Sequence, residues 1–237
     1  MSGILYIISA PSGSGKTTLV NELRQYVPHL EFSVSYTTRS PRGSEQDGRE
    51  YHFITRGEFE AMIERNEFLE YAQVFGNYYG TARSVLQQAK DRGNDVLLDI
   101  DVQGERQVKQ KMPDAVSIFV LPRSRAELES RLRKRSLSEG MHNEETIRRR
   151  LDTARREIEN YPNYDFILIN DRLEESVDRL QAIVLAERIQ RSGKLHAAQE
   201  KRYLGTAEKC LKSKMEDKIR GILNSFDNSS PAQFGGG

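Results

Sequence analysis

The sequence APSGSGKT spans Ala10 to Thr17 and separates a short apolar run from a segment with helical periodicity. The preceding run, Ile4 to Ile8, is uncharged and rich in β-branched residues, which predicts a buried strand. The following segment, Lys16 to Tyr26, carries its apolar residues on one helical face and stops before Pro28. The sequence therefore predicts a strand, a glycine-rich loop and a helix in succession.

This glycine-rich loop nearly fits the P-loop pattern of nucleotide-binding proteins. In such a loop backbone N–H groups face the phosphates, Lys16 reaches the β- and γ-oxygens, and the Thr17 hydroxyl is offered to magnesium. The departure is Ala10, where the strict pattern has glycine, so we expect an ordinary negative φ there. The predicted phosphate-binding residues are Ala10, Pro11, Ser12, Gly13, Ser14, Gly15, Lys16, Thr17 and Thr18.

Strand-length apolar runs alternate with helix-length amphipathic segments in much of the chain, which is typical of an α/β fold with a mostly parallel sheet. Further strands are predicted at Val96 to Ile100, Ser117 to Leu121 and Phe166 to Ile169. Helices are predicted near Arg83 to Asp91, Gly104 to Lys111 and Arg125 to Arg133.

The pattern changes in three places, which predicts a core with insertions. The predicted core comprises residues 1–35, 84–125 and 151–191, the mixed insertion 36–83, the exposed arginine-rich lid 126–150, and the C-terminal extension 192–237. We expect the extension to be partly helical and then disordered from Asn228, because NSSPAQFGGG is too small and polar to pack. It could dock on the core, mediate self-association or trail in solvent.

Charge and cysteine content restrict the function further. The 36 Lys and Arg residues almost balance the 35 Asp and Glu residues, which argues against nucleic-acid and membrane partners. A single cysteine, Cys210, is typical of a reducing compartment. Without a signal-like N-terminus or a bilayer-length apolar stretch, we expect a soluble, cytoplasmic protein whose oligomeric state the sequence leaves undetermined.

Asp99 and Asp101 lie two residues apart at the end of a predicted strand, so their side chains would share one face. At the carboxyl end of a parallel strand beside the P-loop, Asp99 is suited to hold magnesium directly or through water. The other carboxylate can accept hydrogen bonds from a ligand. The alternative for Asp101 is a helix N-cap before Gln103 and Gly104.

Five further motifs resemble those of the guanylate kinase family, in order and at the family's spacing, and the resemblance covers about residues 3–190. They read SYTTRSPR (35–42), GREY (48–51), EFLE (67–70), GNYYGT (76–81) and LDIDVQG (98–104). The resemblance implies a P-loop three-layer sandwich with a GMP-binding insertion and a helical lid. It also implies transfer of the γ-phosphoryl group of ATP to GMP with Mg²⁺, a step of purine metabolism that recycles GMP.

The resemblance assigns roles residue by residue. The GMP phosphate is implied to be held by Arg39, Arg42, Tyr51 and Tyr79. The guanine is implied to be surrounded by Ser35, Glu70, Thr81 and Asp101, with threonine at 81 where many relatives have serine. Catalysis is implied to rest on Lys16, Arg39 and the lid arginines Arg131, Arg135 and Arg150, and Asn170 is implied to lie near the adenine of ATP.

The chemistry of guanine supports these assignments. A carboxylate such as Glu70 can accept parallel bonds from guanine N1–H and N2–H₂, while Ser35 or Thr81 donates to O6. Two arginines flanking Pro41 suit a dianionic phosphate. The alternatives are solvated loop charges for the arginines and simple packing for Tyr79.

The predicted mechanism needs no general base, because the GMP phosphate is already an anionic nucleophile. In-line transfer would rest on positioning and on charge neutralisation. Two other functions remain: a P-loop kinase for another acceptor, and a kinase-like scaffolding module that binds phosphorylated peptides. The second is disfavoured because Lys16, Thr17 and the lid arginines are all present.

Overall fold

The structure is a computed structural model that describes residues 3–74, 76–138, 143–193 and 198–227. The strands are β1 (Leu5–Ser9), β2 (Leu30–Phe32), β3 (Tyr36–Thr37), β4 (His52–Phe53), β5 (Phe68–Val74), β6 (Asn77–Ala82), β7 (Asp95–Asp99), β8 (Val116–Leu121) and β9 (Phe166–Ile169). The helices are α1 (Lys16–Leu23), α2 (Arg56–Glu64), α3 (Ser84–Asp91), α4 (Val102–Lys111), α5 (Arg125–Ser138), α6 (Glu144–Ile158), α7 (Leu173–Ser192), α8 (Ala198–Glu208) and α9 (Lys212–Asp227).

The main sheet has five strands in the order β2-β7-β1-β8-β9. Strand β7 pairs in parallel with β1, where Leu5 lies opposite Val96, and with β2 on its other edge. Strands β1 and β7 are buried along almost their whole length and have apolar centres, as expected of strands covered on both faces. The predicted α/β fold with a mostly parallel sheet is confirmed.

The chain divides into two compact units. The first comprises Met1–Ser9 and Arg24–Ile118, and the second comprises Ala10–Leu23 and Phe119–Gly237, so that β8 has residues in both. The first unit has a core in which side chains of β1 and β7, including Ile7 and Leu98, pack with Val108 of α4.

The insertion forms a second, mixed sheet in the order β4-β3-β6-β5 within the first unit. Helix α2 begins at a capping box, in which the Glu58 N–H donates to Thr55 Oγ1 at 3.2 Å and the Thr55 N–H donates to the Glu58 carboxylate at 2.7 Å. Phe59 of α2 stacks on Phe68 with ring centroids 4.3 Å apart. The sheet and α2 therefore pack together through aromatic side chains.

The second unit holds α1 and the C-terminal part of the chain. Helix α9 buries Met215, Ile219, Ile222 and Phe226, and packs against β9, α5 and α6. At the edge of the main sheet the Ile167 N–H donates to the carbonyl of Cys210 at 2.8 Å. Residues 198–227 therefore dock within this unit, whereas the predicted disordered tail from residue 228 lies outside the described residues.

Several predicted boundaries differ from the structure. Helix α1 ends at Leu23 instead of Tyr26, and α5 continues to Ser138. The predicted lid corresponds to α5 and the start of α6. An ion pair between Arg133 and Glu144 joins these two helices. Residues 139–142, at the centre of the predicted lid, lie outside the described residues. The division into core, insertion, lid and extension stays a prediction. Within the described residues no helix is long and apolar enough to cross a bilayer.

Candidate active site

The glycine-rich loop of the second unit has the backbone that its sequence predicts. Gly13 and Gly15 have φ values of 93° and 86°, in the region that favours glycine. Ala10 is not among the residues with positive φ, so the expectation for this position is confirmed. A side chain at Gly13 would place its Cβ 3.0 Å from Leu132 of α5. The loop therefore requires glycine at these positions both for conformation and for space.

Two side chains hold the carbonyl of Ser14. Asn170 Nδ2 donates to it at 2.8 Å and Arg131 Nη1 donates to it at 2.9 Å. Arg131 also donates to the Asn170 carbonyl at 3.0 Å and pairs with Glu127 at 2.5 Å. Arg131 and Asn170 thus contact the backbone of the loop itself. Sequence reasoning missed Glu127, although its position one helical turn before Arg131 is the typical spacing of a helical ion pair.

Helix α1 starts directly after the loop. Lys16 is its first residue and is half-buried, whereas Thr17 and Thr18 are exposed. The N-terminus of a helix carries partial positive charge and free N–H groups, which favours a bound phosphate. Arg135 is exposed on α5 and Arg150 is half-buried on α6.

In the first unit, buried polar side chains gather on the insertion sheet. Glu70 of β5 is 3% exposed and lies opposite Thr81 of β6, which is fully buried. Ser35 is 8% exposed, just before β3. The Glu70 carboxylate is so close to Gly104 of α4 that a Cβ there would lie 2.4 Å from Oε2. Glycine at 104 therefore makes room for the carboxylate.

Burial raises the pKa of Glu70 to about 7, and the charge of Asp101 acts in the same direction. Contacts with the side chain and backbone of Thr81, and the charge of Lys111, act in the opposite direction. The Thr81 hydroxyl is buried, and its approach to Glu70 falls outside good hydrogen-bond geometry, so burial has the larger effect on the pKa of Glu70. A carboxylate in this state needs donors to stay ionised.

Asp101 is the N-cap of α4. Its Oδ1 accepts hydrogen bonds from the backbone N–H groups of Gln103 at 3.0 Å and Gly104 at 2.8 Å. Strand β7 ends at Asp99, so Asp101 lies two residues beyond its end, and the alternative role of helix N-cap is confirmed for Asp101. The Ile100 N–H still donates to the Ile8 carbonyl of β1 at 3.2 Å, and Asp101 has an extended backbone directly before α4. The cap still leaves Asp101 near enough to Glu70 to raise its pKa.

The residues assigned to the GMP phosphate surround Arg39. Its guanidinium is stacked 4.9 Å from the Tyr51 ring centroid, and the Tyr51 and Tyr79 rings are 5.8 Å apart. Arg39 forms a two-bond ion pair with Glu45, at 2.6 and 2.8 Å, and this contact raises the pKa of the guanidinium. Arg42 is exposed, and its backbone N–H donates to Glu45 at 2.8 Å.

Sequence reasoning missed Glu45. A single acid in a polar loop carries no spacing signal, and only the folded loop brings it to the arginine. By contrast Arg39, Tyr51 and Tyr79 come together as the motifs imply, and Phe53, with its ring centroid 5.5 Å from the guanidinium, completes the aromatic surround.

A family model described as Guanylate kinase matches residues 2–187 of this chain. The chain belongs to the guanylate kinase family. A curated guanylate kinase from Koribacter versatilis is 55% identical over 233 residues, covering 98% of this chain and all of that protein. Another guanylate kinase, from Shewanella violacea, is 49% identical over 196 residues, covering 82% of this chain and 93% of the relative.

A solved structure supports the same family. The crystal structure of guanylate kinase from Anaplasma phagocytophilum has a TM-score of 0.66 and is 35% identical, covering 79% of this chain and 87% of that one. The guanylate kinase family match ends at residue 187, so α8 and α9 lie outside it. The Koribacter versatilis guanylate kinase spans almost the whole chain, including this extension.

Proposed function

We propose that this chain is a guanylate kinase, which transfers the γ-phosphoryl group of ATP to GMP and so produces ADP and GDP. The observation that carries the proposal is Glu70, a carboxylate 3% exposed on the insertion sheet and opposite the buried Thr81. A buried carboxylate is costly unless enough donors surround it, so the site favours a ligand that brings further donors.

Guanine supplies the donors that this pocket needs. Its N1–H and N2–H₂ groups can both donate to Glu70, and its O6 can accept from Thr81 or Ser35. Asp101 would contact the same base. Adenine would present an acceptor to the carboxylate, and sites of this hydrogen-bonding kind reject the wrong ligand by about 10⁴ or more. The pocket therefore accounts for a preference for GMP over AMP.

The GMP phosphate would be bound by Arg39, Arg42, Tyr51 and Tyr79. Nη1 of Arg39 donates to Ser40 at 2.9 Å and to Glu45 at 2.6 Å, and Nη2 donates to Glu45 at 2.8 Å. These contacts leave the Nε–H and one Nη2–H, which form the second fork of the guanidinium and suit two phosphate oxygens. The tyrosine hydroxyls would add donors. The bound phosphate is an anionic nucleophile, so no protein base is needed.

The triphosphate of ATP would bind residues 10–18, with Lys16 on its β- and γ-oxygens. Because Asn170 and Arg131 hold the Ser14 carbonyl, the loop keeps its shape without the ligand's help. Asn170 would also lie near the adenine. Arg131, Arg135 and Arg150 would neutralise charge that develops on the transferred group.

Magnesium is the cofactor that this reaction class implies. The Thr17 hydroxyl and the Asp99 carboxylate are hard oxygen donors, which is the ligand type that Mg²⁺ prefers. Bound Mg²⁺ would neutralise phosphate charge. The reaction would belong to purine nucleotide metabolism, in GMP recycling. A cytoplasmic location suits a chain with a single cysteine.

The test is phosphoryl transfer from labelled ATP to GMP, AMP, dTMP and UMP with the purified full chain. We expect kcat/KM for GMP to exceed that for AMP by about 10⁴. A preference for another monophosphate would favour the alternative P-loop kinase. No transfer to any acceptor, together with phosphopeptide binding, would favour the scaffolding module.

A further inference from the structure

A cavity of about 250 Å³ lies in the second unit, on the edge of the main sheet. Its floor is β9, and its other walls come from α7, α8, α9 and the turn between the last two helices. None of its lining residues is among those assigned to ATP, GMP or magnesium. Most of these walls belong to the extension that lies outside the family match.

Among the described residues that line this cavity, three are cationic and none is a carboxylate: Arg179 of α7, Lys209 of the turn and Lys218 of α9. Arg179 is paired with Glu175 at 3.0 Å. Within residues 198–227 and the rest of the described chain, neither lysine forms an ion pair. The cavity therefore carries two uncompensated positive charges.

The three cations line the same cavity as the buried thiol of Cys210. Burial raises the pKa of the Cys210 thiol, whereas the charges of Arg179, Lys218 and Lys209 act to lower it. Charges that all act on one thiol must lie close to it, since such effects fall off steeply with distance. An anion in this cavity would therefore lie in the attractive field of all three cations.

The sheet edge adds a backbone donor. The Ile167 N–H points outward to the Cys210 carbonyl, and N–H groups two residues apart in a strand point to the same side. The Ile169 N–H therefore also points outward, and on that edge no described residue accepts from it. The Thr206 side chain lines the same cavity and brings a hydroxyl.

We propose that this cavity binds a small phosphate-bearing anion of the size of orthophosphate or pyrophosphate. Two ammonium groups, a backbone N–H and a hydroxyl are donors that suit the several acceptor oxygens of a phosphate. The volume of about 250 Å³ lies below the range of about 300–1,000 Å³ that is usual for drug-sized ligands. The small size of the cavity favours a compact anion.

The test is calorimetric titration of orthophosphate, and separately of pyrophosphate, into the full chain. Saturating ADP and GMP in magnesium-free buffer at constant ionic strength would occupy the nucleotide sites first. We expect one additional saturable site, with affinity at least tenfold weaker in the double variant Lys209→Ala/Lys218→Ala. The control is Lys214→Ala, an exposed lysine of α9 outside the cavity, which should bind like the wild type.

Equal affinity in the double variant and the wild type would overturn the proposal, and so would the absence of any site beyond the nucleotide sites. Lys218→Gln serves the same comparison if the double variant does not fold. The double variant should retain GMP phosphorylation within about twofold of the wild type. Loss of the anion site with full turnover therefore tests this cavity separately from the kinase function.

Discussion

Arg39 and Glu45 form a two-bond ion pair, at 2.6 and 2.8 Å, in which the arginine side chain is only 8% exposed. The pair fixes one fork of the guanidinium and leaves the other for a phosphate. Because Glu45 also accepts from the Arg42 N–H at 2.8 Å, one carboxylate organises both arginines of the loop. Glu45 is thus a positioning residue for the proposed GMP site.

Glu45→Gln should raise the KM for GMP about tenfold, since hydrogen bonds to charged groups contribute about 1.5–3 kcal/mol. The KM for ATP should not change. Steady-state kinetics with each substrate varied checks this, and Glu50→Gln is the control, because Glu50 pairs with Arg49 in the same loop at an exposed position. An equal rise in both KM values would show that Glu45 stabilises the fold without positioning Arg39.

The raised pKa of Glu70, about 7, predicts that GMP binding depends on pH. Guanine donors favour the ionised carboxylate, so the KM for GMP should fall as pH rises toward 7 and level off above it. The same pKa has the opposite effect on the free protein. Because the folded protein binds the Glu70 proton more tightly than the unfolded chain does, the free energy of unfolding falls as pH rises. The fall runs from the pKa of this carboxyl in the unfolded chain through about 7.

The measurement is the KM for GMP between pH 5.5 and 8.5 in the wild type and in Glu70→Gln. The GMP phosphate also titrates, because phosphate monoesters have a second pKa of about 6. The readout is therefore the difference between the pH profiles of the wild type and of the variant. The variant should bind GMP more weakly and lose the Glu70 component of the profile. If KM depended on pH in the same way in both proteins, Glu70 would not contact the guanine base.

The elements that the sequence predicts well are those with a local signal. Periodicity and glycines predict β1, the loop and α1. The motifs imply that Glu70 and Thr81 serve one site, and the structure pairs them across β5 and β6. Glu45 and the contacts of Arg131 with Ser14 depend on residues brought together only by folding. The docking of α9 likewise depends on which surface β9 leaves uncovered, which no local pattern encodes.

Gly15→Ala should damage the donor loop. The new Cβ would lie 2.5 Å from Asn170 Nδ2, and φ at this position is 86°. We expect ATP-analogue affinity to fall at least tenfold and the free energy of unfolding to fall by about 1–3 kcal/mol. Gly43→Ala is the control, because φ is 53° there and no atom of the described residues would lie within 4 Å of the new Cβ. Similar losses in both variants would mean that position 15 requires glycine because of its φ alone and not because of the contact with Asn170.

Lys16→Met should lower turnover by about 10²–10³ or more, as removal of one preorganised donor to developing charge does. Circular dichroism and the thermal midpoint should match the wild type, because Lys16 is half-buried at the start of α1 and is not part of the core. Lys90→Met, at an exposed position on α3, is the control. Near-normal turnover in the folded Lys16 variant would show that Lys16 does not take part in catalysis.

Ile222→Ala tests whether the extension is part of the folded unit. Ile222 is 4% exposed on α9, which packs against β9, α5 and α6, so its truncation should cost about 2–4 kcal/mol in the free energy of unfolding. Leu137→Ala, at a residue 58% exposed, should cost less than about 0.5 kcal/mol. Denaturant unfolding measures both losses, and the dependence of the free energy of unfolding on denaturant concentration should be unchanged. If the Ile222 variant unfolded like the wild type, α9 would contribute nothing to stability, and the cavity that it helps to form would lack a fixed wall.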